Sequence, residues 1–485
     1  MTDRPEPVPA AAEASGLRRR LGATQLTALI VACALFMQTL DGTVIATALP
    51  AMAHAFGADP VHMNVALTSY LLSLAVFIPA SGWMADRFGA RTVFRAAIGI
   101  FTLGSLLCGM ADSLAFLVAA RVLQGMGGAM MVPVGRLVLL RTAAKHELVG
   151  AMALLSTPAL LGPVLGPPLG GFFVTYLSWR WIFGINLPIG VLGIVLVTLF
   201  VPDVRQPGAA RLDGFGMALS GIALAGMMFG FETTARGVVP VWLSLSVLAV
   251  GLLAAALYVR HARRHPAPLI DMSLMRIPTF MVSVVGGSLF RVGIGAAPFL
   301  LPLMLQLGFG DSPLRSGFIS IASSAGAIVM KPATTWALRW FGFRDTLLVN
   351  GVLSALTLIL CAAFRPAWPL AAIYAVLLIG GFFRSLQFTA YNTIAYADIP
   401  PGRMSAATSL YATLQQVSLT MGVTAGAASL EATMALAGRG APVVADFATA
   451  FTVVGVVALF AAPVSWLMPR HAGAELSGHR VAEAG

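Results

Sequence analysis

Gly82-Trp83-Met84-Ala85-Asp86-Arg87-Phe88-Gly89-Ala90-Arg91 separates two long apolar runs, and Thr335-Trp336-Ala337-Leu338-Arg339-Trp340-Phe341-Gly342-Phe343-Arg344 separates two others. The decapeptides align without a gap, Trp83 on Trp336, Gly89 on Gly342 and Arg91 on Arg344. Each is the connection between the second and third apolar segments of a block of six. Three matches in ten are weak by themselves, and the shared position in two blocks turns them into a repeat. The chain is therefore expected to divide into a six-helix bundle at 24–202, two inserted helices with basic linkers at 203–278, and a second six-helix bundle at 279–469. Repeated halves around a central site are a common plan among secondary transporters. The Pro/Ala/Glu-rich residues 1–23 and the tail 470–485 are expected to be cytoplasmic and without structure.

The chain has 485 residues, of which 58% are hydrophobic and 10% charged, with a mean hydropathy of +0.87. A soluble domain carries about 25% charged residues, so the composition points to an all-α polytopic membrane protein. Stretches long enough to cross a bilayer as helices lie near 26–49, 65–84, 93–111, 114–139, 149–175, 181–201, 213–231, 239–259, 279–305, 315–338, 345–363, 368–392, 405–431 and 446–468, giving 14 expected transmembrane helices. A β-barrel would need short alternating segments instead. Cys33, Cys108 and Cys361 lie in apolar segments and offer neither a disulfide framework nor a metal-ligand spacing, so no metal is expected.

The net charge of +11 does not indicate nucleic-acid binding. It sits in alternate loops. One set carries Arg18, Arg19 and Arg20, then Arg87, Arg91, Arg95, Arg141, Lys145, Arg205, Arg211, Arg260, Arg263, Arg264, Arg276, Arg339, Arg344, Arg403 and Arg470. The other has scattered single residues: Arg180, Arg236, Arg315, Arg365 and Arg439. The positive-inside rule makes the first set, with both termini, cytoplasmic, and the expected location is a bacterial inner membrane. The first apolar run is too long for a signal-peptide core and contains Asp41, so it is read as a retained helix.

Asp41 lies within the run Leu26–Leu49, where a carboxylate costs about 2.5–3.5 kcal/mol on insertion scales. A buried acid of that cost is a functional candidate, and a structural ion pair with a buried arginine is the competing reading. Five basic residues also fall inside expected spans: Arg121, Arg136, Arg291, Lys331 and Arg384. Arg121 is the expected partner of Asp41. Arg136 and Lys331 lie nearer helix ends, where snorkelling is the alternative. Helical spacing adds polar neighbours: Gln38 three before Asp41, Gln124 three after Arg121, Gln387 and Tyr391 after Arg384, and Thr408, Tyr411, Gln415 and Ser418 along the thirteenth span. Gln38, Gln124, Arg136, Arg291, Lys331, Arg384, Gln387, Tyr391, Tyr411 and Gln415 are the expected lining of a polar path between the halves. An excess of buried positive charge favours anionic or neutral compounds over cations.

Here the sequence resembles the major facilitator superfamily. Gly82–Arg91 is similar to its signature loop, Gly-x-Leu-Ala-Asp-Arg-x-Gly-Arg-Lys, with Met84 in place of Leu. Arg121-Val122-Leu123-Gln124-Gly125-Met126-Gly127-Gly128-Ala129 resembles its fourth-helix motif, and Gly162-Pro163-Val164-Leu165-Gly166-Pro167-Pro168-Leu169-Gly170-Gly171 the fifth-helix motif of its antiporters. Leu40-Asp41-Gly42-Thr43-Val44-Ile45-Ala46-Thr47-Ala48-Leu49-Pro50 looks like the first-helix motif of the 14-helix drug:proton antiporters. The run Gly127–Leu137 looks closest to the MdtD-type subgroup. Ala46 stands where the first-helix motif has Asn, which removes an amide from the helix of Asp41.

The resemblance implies proton-coupled drug efflux by alternating access, and the excess of buried positive charge points, against the simple family label, to small organic anions or neutral amphiphiles as the better fit. Asp41 and Arg121 would handle the proton. Gly82, Asp86, Arg87, Gly89 and Arg91 would latch one conformation, and Gly162, Pro163, Gly166, Pro167, Gly170 and Gly171 would limit leak. A metabolite-carboxylate exporter or importer is the alternative within the class, and a non-transporting receptor or assembly subunit the alternative outside it. An enzyme is not expected, since no HExxH, nucleophile elbow or Walker loop is present. No cofactor is expected beyond the coupling proton. The expected partners are a small anionic or neutral amphiphile and the lipid bilayer, with the protein a monomer.

Overall fold

The computed structural model describes residues 22–57, 60–203, 211–236 and 240–479. Nearly all of the described chain is helix, as a backbone in hydrocarbon requires when it must satisfy its own hydrogen bonds. The N-terminal bundle comprises α1 (Ala23–Phe56), α2 (Pro60–Phe77), α3 (Ala80–Phe88), α4 (Ala90–Gly109), α5 (Leu114–Thr142), α6 (Leu148–Tyr176), α7 (Trp181–Gly184) and α8 (Asn186–Phe200). An inserted hairpin follows, α9 (Gly214–Arg236) and α10 (Val241–Ala262). The C-terminal bundle comprises α11 (Pro278–Leu303), α12 (Pro313–Leu360), α13 (Leu370–Ile394), α14 (Met404–Leu436), α15 (Val444–Leu459) and α16 (Ala461–Trp466). A short α17 (Ala474–Ser477) closes the described chain.

Among the described residues, 10 helices are long and apolar enough to span a membrane, or 11 with the α2–α3 pair, which bends by 59°. The 48-residue α12 is two helices meeting at Gly342, whose φ is 69° and ψ 175°. With that break, the element order is consistent with the fourteen expected spans.

The repeat is physical. Gly89 has φ 88° and Gly342 has φ 69°, so both copies turn through a backbone region that residues with a Cβ avoid. The paired arginines behave alike as well: Arg91 donates to the Thr198 carbonyl near the end of α8, and the Arg344 guanidinium lies 4.7 Å over the Trp466 ring at the end of α16. Replacing Gly342 by Ala is expected to cost about 1–3 kcal/mol, the usual range for such backbone strain. Its new Cβ would also stand 2.9 Å from the His479 ring. Thermal unfolding of the purified variant reads this directly.

The end of the bundle that carries the repeated loops is called the basic end. There the halves share one core. Val31, Phe94 and Val138 of the N-terminal half belong to the same buried cluster as Leu338, Tyr391 and Tyr411 of the C-terminal half. At the far end the cores are separate, one around Leu40, Val44, Leu117 and Phe183 and another around Leu300, Phe364 and Phe451. Cross-half polar contacts reinforce the shared end. Ser409 Oγ donates to the Pro79 carbonyl at 2.7 Å, Arg136 Nη1 to Tyr396 Oη at 3.2 Å, and Lys331 Nζ to Ser156 Oγ at 2.9 Å.

The inserted hairpin packs tightly, with Gly226 against Gly251 so closely that a Cβ on Gly226 would lie 2.7 Å from the Gly251 Cα. Leu224 and Met228 of α9 cover Ala75 of α2 and pack on Val417 of α14, across the seam between the halves. The tail departs from expectation. Residues 471–479 fold back because Leu476 and Ala472 bury against the basic end, Lys145 pairs with Glu475, and His479 Nδ1 lies 2.9 Å from the Arg339 carbonyl oxygen. The expected disorder at residues 1–23 concerns positions that, up to 21, lie outside the described residues, as do residues 480–485.

Candidate functional site

Asp41 is buried near the middle of α1, and four side chains from three other helices surround it. Arg121 Nη1 lies 2.6 Å from Asp41 Oδ2. Gln124 Nε2 and Asn186 Nδ2 donate to Asp41 Oδ1 at 2.8 and 3.0 Å. Arg121 also donates to Gln124 Oε1 at 2.7 Å and to the Ala66 carbonyl at 3.2 Å. Its guanidinium stacks 4.2 Å from the centroid of Tyr70. Three residues separate Arg121 from Gln124 on α5, so one helix face presents both the cation and the amide to the carboxylate. The carboxylate is thus paired and hydrogen-bonded on both oxygens, the condition under which a buried charge is tolerated.

Asn186 and Tyr70 were missed by the sequence reading. Asn186 is a lone amide in the run Ile182–Leu187, the same signal that singled out Gln38. Gln38 makes no direct bond to Asp41 among the described residues, and its side chain lies beside Tyr70 at the edge of the centre.

The glycine motif of α6 packs on the same stretch of α1. A Cβ on Gly162 would stand 2.4 Å from Thr39 Oγ1, and one on Gly166 would stand 2.2 Å from Thr43 Oγ1. Thr43 Oγ1 donates to the Gly162 carbonyl at 3.1 Å, so the two contacts bracket Asp41. Gly170 is buried, whereas Gly171 faces open space. The side chains of Pro163 and Pro167, and that of Ala46 on α1, lie outside the described residues.

At the basic end, Asp86 joins the halves. It accepts from Arg141 Nη2 at 2.7 Å and from Ser405 Oγ in the first turn of α14. An acid there also faces the positive end of a helix dipole. Gly82 permits the approach, since a Cβ on it would lie 2.6 Å from the Ser405 carbonyl oxygen. Arg87 is exposed, and Arg91 holds α8 as described above.

The other basic residues divide into groups. Arg136 and Lys331 are buried rather than extended to a helix end, so snorkelling does not describe them. The Tyr411 ring lies between two guanidiniums, Arg136 at 5.5 Å and Arg291 at 4.7 Å from its centroid, and Arg291 also donates to the Tyr411 hydroxyl. Lys331 donates to Ser156 Oγ and Thr389 Oγ1, both at 2.9 Å. Arg384 donates to Ser323 Oγ. Among the described residues, none of these four cations has a carboxylate within ion-pair distance. Gln415 Oε1 is buried without a hydrogen-bond partner among the described residues.

Two residues expected on the path belong elsewhere. Gln387 points into the C-terminal bundle, donating to the Leu347 carbonyl and accepting from Asn350 Nδ2, each at 2.8 Å. Tyr391 bonds to Ser465 Oγ at 2.7 Å and packs beside Phe290 inside the same bundle. Gln124 belongs to the Asp41 centre. Helical spacing places these side chains on an arc of a helix, and the neighbouring helices decide what that arc faces.

Among the described residues, one cluster offers metal-ligating atoms: those of Asp213, His261 and His265 lie within 4.8 Å of one another. The carboxylate is already engaged, by His261 Nε2 at 2.9 Å, by the Gly216 N–H at 2.8 Å and by the Leu269 N–H at 3.4 Å. Asp213 therefore caps α9 and ties it to the end of α10. Burial opposes its charged form, but the hydrogen bonds from Gly216, His261 and Leu269 outweigh it and hold the carboxyl below the usual range. A depressed carboxylate contributes stability above the unfolded value, about 3.9, and that contribution is lost as pH falls through the folded value. Melting curves taken down an acid series should show the loss below pH about 4, with a flatter acid limb in Asp213→Asn.

The helical halves, the seam and the buried charge centre define a polytopic membrane transporter. The sequence model of the Major Facilitator Superfamily matches residues 31–423, and the chain belongs to that family. It is 39% identical over 397 residues to "Putative multidrug resistance protein MdtD" of Citrobacter koseri, covering 81% of this chain and 84% of that one. The protein of the same name from Escherichia coli K12 is 38% identical over the same shares. Among solved structures, the human organic anion transporter MFSD10 (TETRAN) superposes with a TM-score of 0.65 at 16% identity, covering 91% of this chain and 99% of that one. The proton:xylose symporter XylE superposes with a TM-score of 0.64 at 14% identity, over 93% and 97% of the respective chains. These two likenesses establish the fold alone.

Proposed function

We propose that the protein is a proton-coupled antiporter of a bacterial inner membrane, with both termini cytoplasmic, exporting small organic anions or neutral amphiphiles. The observation that carries this reading is the charge balance along the middle of the spans among the described residues: Asp41 is paired with Arg121, the other buried acids Asp213 and Asp446 sit at helix ends, and Arg136, Arg291, Lys331 and Arg384 have no carboxylate within ion-pair distance. A transporter of cations gains from carboxylates facing its path, whereas unpaired guanidinium and ammonium groups reward an anion.

The proton acts at Asp41. Neutralising its carboxylate removes the charge opposite Arg121 and weakens the bonds from Gln124 and Asn186. Those side chains come from α5 and α8, so the proton state of one residue biases how α1, α5 and α8 pack. The separated far-end cores and shared basic-end core suit a state accessible from the far side, the outside in this orientation. Asp86 and Ser405, Arg136 and Tyr396, and Lys331 and Ser156 hold that state and part when access reverses. The glycines of α6 keep its backbone tight against α1 beside Asp41, which suits exchange without leak.

Reconstituted vesicles given a substrate panel, with and without a pH gradient, test the reading. Gradient-driven movement of anionic or neutral amphiphiles is the expected result. Gradient-driven transport of ethidium-like cations that disappears in Asp41→Asn would sink the substrate preference while leaving the coupling role in place.

A further inference from the structure

The last turn of α10 and the turn just beyond it place Arg260, Arg263 and Arg264 at the basic end, all three exposed. With Ala256 and Val259 they line an open cavity of about 530 Å³. Three and four positions apart across the end of the helix, they bring like charges together. None of the three has a carboxylate partner among the described residues. Asp213, tied to this turn through His261, is occupied by the bonds already described.

Up the helix, the same stripe continues through exposed Leu257, Ala256 and Leu253. Among the described residues no helix of either bundle covers it, so a bilayer would place hydrocarbon there and the polar interface at the arginines. Topology alone asks only for positive charge at this end. A cavity with three forked guanidiniums at its mouth and an apolar stripe behind offers more: bidentate donors for a phosphate and a track for acyl chains.

We propose that Arg260, Arg263 and Arg264 form a docking site for the phosphodiester headgroup of an anionic phospholipid, whose acyl chains lie along Leu253, Ala256 and Leu257. The lipid completes the attachment of the inserted hairpin. α9 covers the seam between α2 and α14, and the linker beyond α10 is fastened to the C-terminal half where Arg403 Nη2 meets Asp271 Oδ2 at 2.6 Å. A headgroup at the end of α10 neutralises three guanidiniums that have no carboxylate partner among the described residues.

The test uses full-length protein in mild detergent, with phosphatidylglycerol, phosphatidylcholine or soluble sn-glycerol 3-phosphate added during thermal unfolding. Phosphatidylglycerol should raise the unfolding temperature by several degrees, and phosphatidylcholine and glycerol phosphate should not. R260Q/R263Q/R264Q should lose most of that increment, while R260K/R263K/R264K keeps part of it. A full increment in the glutamine variant overturns the site, and an equal increment from glycerol phosphate overturns the lipid assignment. Should the glutamine variant fail to fold, photoactivatable phosphatidylglycerol crosslinked to the unaltered protein decides. Label on the peptide spanning 252–265 supports the proposal, and label confined to other helices overturns it.

Discussion

Asp41→Asn is expected to reduce pH-gradient-driven transport in proteoliposomes to the level of protein-free vesicles. The amide keeps the shape of the side chain and can still meet Gln124 and Asn186. It cannot change charge, so the proton no longer alters the balance against Arg121. Downhill exchange of substrate, which needs no proton, should survive in part. Size-exclusion behaviour and helical content establish that the variant is folded. Undiminished gradient-driven transport would place coupling on another group and leave Asp41 as a structural partner of Arg121.

Arg121→Ala should be the most destabilising single change in the buried network. It leaves the Asp41 carboxylate with two amide donors and no cation, and it empties the face of Tyr70. Breaking a buried pair by removing one partner costs about 3–5 kcal/mol, because the remaining charge is uncompensated. The double variant Asp41→Asn/Arg121→Gln removes both charges and should recover most of the lost stability without recovering coupled transport. Unfolding temperatures of the unaltered protein, Asp41→Asn, Arg121→Gln and this double variant close a cycle that measures the coupling between the two sites. An unchanged unfolding temperature in Arg121→Ala would mean that water reaches the carboxylate.

Much of the centre was legible beforehand. Asp41 and Arg121 stood out because an ionised side chain in an apolar run is costly, and two of opposite sign compensate each other only if they meet. Asn186 carried the same kind of signal at lower contrast, since an amide costs less than a charge in hydrocarbon. Gln387 and Tyr391 went astray for a different reason. They lie three and seven residues from Arg384, and helical periodicity puts them near its face. Periodicity is blind to the helix opposite, and Asn350 and Ser465 are what stand opposite. The tail was misjudged because its composition is polar, while two apolar residues, Ala472 and Leu476, suffice to dock a short segment onto an existing surface.

By itself the sequence determined the class of fold and the identity of the buried charges. Those properties follow from local rules: the length of an apolar run, the alternation of basic loops, and the cost of an ion in lipid. Only the tertiary structure decided which buried groups meet. It put Asn186 and Gln124 on Asp41, Tyr411 between Arg136 and Arg291, and the α6 glycines against Thr39 and Thr43. Those contacts join residues tens to hundreds of positions apart, and close helix packing fixes them through shape that no single segment contains.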